Sequence, residues 1–92
     1  MKLIITNYDN VYKVKGNLIK LNIPIFKNEL KDVFNQTGDV ILNLQELNTI
    51  DNQGVVAIAQ LHNEALSKNR KLSIVGLGNG QVSNRLKSDQ VA

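Results

Sequence analysis

The chain has no cysteine and no tryptophan. Disulfides, thiol redox chemistry and cysteine-ligated metals are therefore excluded. It has one proline, Pro24, and four aromatic residues: Tyr8, Tyr12, Phe26 and Phe34. A core must be built mainly from Ile, Leu and Val. No apolar run approaches the ~20 residues that span a bilayer. The segment Met1–Thr6 is too short for a signal peptide and offers no small-residue cleavage site. These absences lead us to expect a cytoplasmic protein without membrane insertion. A single histidine, His62, leaves no second imidazole for a metal site. No Ser or Cys is placed as an evident nucleophile, so we expect neither an enzyme nor a cofactor or metal.

Ninety-two residues fit one small domain, taken as 1–92. The net charge is +3, from eleven basic and eight acidic side chains. The basic residues are scattered, apart from Lys68, Arg70 and Lys71. No basic stripe interleaves with aromatics, so nucleic acid is not an expected partner.

Residues 2–6 read as a strand ending in the turn-rich Asn7–Asn10. Residues 11–16 partly alternate, and the pair predicts a hairpin. Residues 18–23 read as a short extended piece or a loop. Pro24 suits the first turn of a helix. Phe26, Leu30, Val33 and Phe34 recur at helical spacing, with Gly38 as the stop. Residues 40–44 predict a buried strand. A helix follows from about Asn52 to Ser67, with Val55, Ile58, Ala59, Ala65 and Leu66 inward and Leu61 at the edge. Residues 72–75 form another strand, Gly76–Gly80 a loop, and Gln81–Lys87 a short helix. Helices alternating with strands predict an α/β domain whose sheet is parallel in its later part.

The most informative stretch is Val40–Gly54. An apolar run ends in Ile50-Asp51, Asn52 and Gln53 follow, and Gly54 opens the helical pattern. Such a turn presents polar side chains at a helix start, where negative charge is favoured. Asp51 and Asn52 both suit capping. Neither Asn52 nor Gln53 carries a hydroxyl.

With Gly16, Phe26, Leu30, Val40–Leu44, Leu47, Ile50-Asp51-x-x-Gly54 and Lys71–Gly76 in this order, the chain resembles STAS domains. That fold is shared by anti-sigma factor antagonists and the cytoplasmic tails of sulphate transporters. The resemblance covers roughly residues 10–87. It implies a single domain with a mixed four- or five-stranded sheet and helices packed on one side. It also implies a bacterial regulator of transcription that binds an anti-sigma factor or a histidine-kinase-like protein. In antagonists the residue after the Asp is a phosphorylated Ser or Thr. Asn52 occupies that phosphoacceptor position, and an amide cannot accept a phosphoryl group. The resemblance thus implies a constitutive binder, whose partner face comprises Asn48, Thr49, Asp51, Asn52, Gln53 and Gly54.

Two other classes stay open. One is a scaffold subunit of a larger assembly, such as a lipid-transport ATPase or a stressosome-like body. The other is a small-ligand or nucleotide sensor using Gly76–Gly80, although that spacing is neither a P-loop nor a dinucleotide fingerprint. Thr49 reads as a loop or strand-end residue. Ser67, Ser73, Ser83 and Ser88 have no special setting. The stretch Lys87–Ala92 is shorter than the element relatives carry there, which leaves the oligomeric state open.

Overall fold

The computed structural model describes residues 2–36 and 38–76. Strands β1 (Leu3–Tyr8) and β2 (Val11–Leu18) form the expected antiparallel hairpin. Asn7 and Tyr8 belong to β1 rather than to the turn. The turn is the two-residue Asp9-Asn10, and Asp9 takes a left-handed φ of 54°. Left-handed turns of this length match the twist of the flanking strands, and Asp tolerates that φ.

The segment after β2 is neither strand nor open loop. Lys20–Asn22 makes one 3-10 turn and leads directly into α1 (Ile23–Glu29), with Pro24 in its first turn. The single helix expected through Phe34 is broken. Asp32 is left-handed (φ 60°), and α2 (Val33–Gln36) restarts beyond it. Phe26, Leu30, Val33 and Phe34 are all buried nonetheless. The reversal therefore falls at Asp32, whereas Gly38 has no positive φ.

Strands β3 (Val40–Asn43) and β4 (Leu47–Ile50), helix α3 (Asn52–Ser67) and strand β5 (Leu72–Val75) complete the described fold. The Gly76–Gly80 loop beyond Gly76, and the helix expected over Gln81–Lys87, lie outside the described residues.

Among the described residues the sheet has five strands in the order β1-β2-β3-β5, with β4 also paired to β2. Among the described residues every pairing except β1–β2 is parallel. β2 serves two neighbours along one edge. Its first half pairs with β3 (Tyr12 with Leu42) and its second half with β4 (Leu18 with Ile50). The handover occurs at Gly16, whose φ is 105°. A Cβ there would collide with the Lys2 carbonyl, so only glycine fits. The register slips at this point, Gly16 facing Leu47 and Asn17 facing Thr49. Asn48 is the extra residue of this bulge. The irregularity lets Leu47 and Ile50, three apart, both point inward. β4 had no periodic signature for that reason.

The helices cover one face. Alternation buries Val14 and Leu18 from β2 and Val40 and Leu42 from β3 against Phe26, Phe34, Val55, Ile58, Leu61 and Ala65. Leu61, expected at the rim of the α3 stripe, is only 6% exposed, whereas Leu66 is 60% exposed and leaves the core. Fully burying a Leu contributes about 1.5–3 kcal/mol.

Candidate functional site

The site begins with register. β2 and β4 run parallel, and Leu18 pairs with Ile50. Both strands therefore end at the same level, and the chain leaves them side by side. The 3-10 turn after β2 thus lies against the start of α3 after β4. Asp51 joins the two. Its Oδ2 accepts the Lys20 amide at 2.8 Å, and its Oδ1 accepts the Gly54 amide at 2.9 Å. Its own N–H donates to the Leu18 carbonyl at 3.3 Å.

Asp51 is the N-cap of α3, with extended backbone (φ −108°, ψ −175°). Asn52 occupies the first helical position, so the capping role expected of it belongs to Asp51 alone. Partial burial pushes the Asp51 carboxyl upward. Amide donation from Lys20, Gly54 and Gln53 outweighs that and holds its pKa below the ordinary value of 3.8.

Gly54 is buried and shapes the turn. A Cβ on it would strike the Leu18 carbonyl oxygen and lie 2.7 Å from Ile50 Cγ1. The strand-end backbone approaches this closely only because residue 54 has no side chain.

Asn52 and Gln53 are exposed on the first turn of α3, and Asn48 is exposed on the bulge. Thr49 is half-buried within β4, and its hydroxyl donates to Asn17 Oδ1 at 2.6 Å. Asn17 continues the network, its carbonyl accepting Asn22 Nδ2 at 2.9 Å. Asn22 is the one buried polar side chain among the described residues.

Sequence reasoning missed the apolar side chains around this turn. Leu21, next to Lys20, is 75% exposed, and Val56, one helical turn beyond Asn52, is 48% exposed. Ile25 at the start of α1 is 45% exposed. The signal was present in part, because Val56 falls outside the apolar stripe of α3. Glu64 is the only Asp, Glu, Lys or Arg in the sixteen residues of that helix. A solvated helix face ordinarily carries more charge.

Farther along, the end of α1 and the middle of α3 leave an open groove of about 320 Å³. Phe26, Leu30, Ala57 and Leu61 are its apolar lining, and charges of both signs, Lys27 and Lys31 with Asp32 and Glu64, also line it. His62 is half-buried on α3. Among the described residues no three metal-ligating side chains cluster. No helix among them is long and apolar enough to cross a membrane.

The STAS domain family model matches residues 2–87. No curated protein sequence matches the chain. Among solved structures, the protein TM1081 aligns with a TM-score of 0.71 at 22% identity, over 95% of this chain and 72% of its own. The murine Slc26a9 anion transporter aligns at 0.65 and 20% identity, over 90% of this chain and 14% of the transporter. An uncharacterised Shewanella loihica protein with a SpoIIAA-like fold aligns at 0.56 and 14% identity, over 97% of this chain and 77% of its own. The chain spans less than a fifth of the larger proteins it resembles, 18% of one and 14% of the transporter. At these identities the likeness is one of fold.

Proposed function

The chain belongs to the STAS domain family, and from that premise we propose that it is a non-enzymatic docking module of the anti-sigma factor antagonist type. Its partner is an anti-sigma factor or a histidine-kinase-like regulator. Its face comprises Asn52 and Gln53 on α3, Asn48 and Thr49 on β4, and the apolar Leu21 and Val56 beside them. The observation that carries this reading is the Asp51 clamp. Both carboxylate oxygens are spent on main-chain amides at 2.8 and 2.9 Å, which fixes the turn and sets Asn52 and Gln53 outward. The carboxylate organises the face from below rather than touching the partner.

Asn52 keeps that face uncharged. A phosphate there would add nearly two negative charges beside Asp51. An amide cannot be phosphorylated, so the module stays permanently in its binding form. An interface of roughly 1,200–2,000 Å² in total is enough for such recognition, and no catalytic group is needed.

Incubation with cellular kinases and ATP, followed by intact mass, tests the constitutive state. The expected mass is unchanged. A stoichiometric gain of about 80 Da mapped to residues 49–54 would overturn it. Affinity capture tests the partner class. A kinase-type regulator supports the antagonist reading. Membrane-transport subunits would instead favour a scaffold role, a reading to which the fold likeness to a transporter lends support.

A further inference from the structure

We propose that the free edge of β1 pairs with β1 of a second copy, antiparallel and about a twofold axis at Ile5. The inference uses a surface apart from the Asp51 turn and does not depend on it.

The ladder defines which groups are available. The Asn17 amide donates to the Lys2 carbonyl at 2.9 Å, so Lys2 and Asn17 form a hydrogen-bonded pair. Pairing alternates along an antiparallel ladder. Ile4 with Lys15, Thr6 with Lys13 and Tyr8 with Val11 are then also bonded pairs. The amides and carbonyls of Leu3, Ile5 and Asn7 point the other way. Among the described residues no strand lies on that side, because β1 ends the sheet order.

Natural edge strands are guarded by charge, proline or a bulge. The segment Leu-Ile-Ile-Thr-Asn-Tyr has no charge and no proline, and its register with β2 is unbroken. Ile4 is 47% exposed and Tyr8 81% exposed on its outward face.

Charge selects the occupant and its direction. The strand is flanked by Lys2 at its start and Asp9 at its end, both exposed. Antiparallel self-pairing centred on Ile5 sets Leu3 opposite Asn7 and Ile4 opposite Thr6. Lys2 of each copy then lies across from Tyr8 and beside Asp9 of the other. An unlike charge thus lies one position along from each Lys2, and Lys2 faces Tyr8 directly across the seam. Parallel pairing would place Lys2 against Lys2. Three bonded positions, Leu3, Ile5 and Asn7, supply roughly six backbone hydrogen bonds.

The seam is short, so the dimer is weak, with a dissociation constant on the order of 10–100 µM. Sedimentation across about 5–500 µM should show the mass rising from 10.2 kDa toward twice that value. In the concentrated sample, amide exchange should slow about tenfold or more at Leu3, Ile5 and Asn7, with Ile4, Thr6 and Tyr8 already protected at every concentration. This measurement needs no variant. The exposed-face variant Ile4→Lys with Thr6→Lys should weaken dimerisation more than about tenfold. Mixing it with Ile4→Glu, Thr6→Glu chain should restore the pair. A monomer at the highest concentration would overturn the proposal. So would a dimer whose Leu3, Ile5 and Asn7 amides exchange as in the monomer, or one indifferent to the lysine pair.

Discussion

Replacing Asp51 by alanine removes the cap of α3 and the tie to the 3-10 turn in one step. Loss of a capping side chain costs about 1 kcal/mol. Loss of a hydrogen bond from an amide to a carboxylate costs about 1.5–3 kcal/mol, and the partial exposure of this site favours the lower end. The sum is about 2–3 kcal/mol. For a domain of this size that corresponds to a fall in Tm of roughly 10–20 °C. Urea unfolding followed by circular dichroism reads it directly. Asp51→Asn separates the two parts, since its amide presents only one acceptor and its nitrogen must face a main-chain donor; its loss should be about 1.5–2 kcal/mol. The pH dependence gives an independent check. The folded Asp51 pKa lies below the unfolded value, so its stabilisation is present above about pH 4 and is lost as pH falls through the folded pKa. Asp51→Asn should flatten that part of the acid profile. An alanine variant within about 0.5 kcal/mol of the parent, with an unaltered acid profile, would refute the clamp.

Other substitutions probe neighbouring links. Gly54→Ala should cost about 3 kcal/mol or more, or fail to fold, because its Cβ meets strand-end backbone; soluble yield and urea midpoint report it. Asn52→Ser should leave stability within about 0.5 kcal/mol, since position 52 is not the cap, while making the turn a phosphoacceptor readable by intact mass. Leu61→Ala should cost about 2–4 kcal/mol and Leu66→Ala under about 0.5 kcal/mol, reversing the ranking given by helical periodicity. Thr49→Val should cost about 1 kcal/mol through loss of the 2.6 Å bond to Asn17.

Most of the scaffold was legible because its signals are local. The β1–β2 hairpin, the buried β3 run, helix α3 to its last residue and β5 all follow from periodicity and turn chemistry. The misses share one cause, which is dependence on distant partners. β4 pairs through a bulge against β2, so its inward residues lie three apart and mimic a loop. The break at Asp32 sits inside a helical apolar pattern, because two short helices bury the same four side chains as one would. Leu66 faces outward because α3 turns its stripe toward Leu61 when it docks on the sheet.

The site divides the same way. Asp51, Asn52 and Gly54 stood out from type and spacing. The Lys20 amide could not, since a main-chain donor leaves no trace in a sequence. Nor could the Thr49–Asn17 bond, which joins residues thirty-two apart. The apolar Leu21 and Val56 emerged only once exposure was known.

The central claim is that the Asp51-held turn presents an uncharged docking face. A photo-crosslinking residue at Gln53, with Asp39 at the opposite ends of the parallel strands as the control, tests it most directly. The account predicts that one regulatory protein is captured from position 53, not from 39, and that Val56→Asp abolishes capture without loss of fold. Equal capture from both positions, or capture indifferent to Val56→Asp, would contradict it.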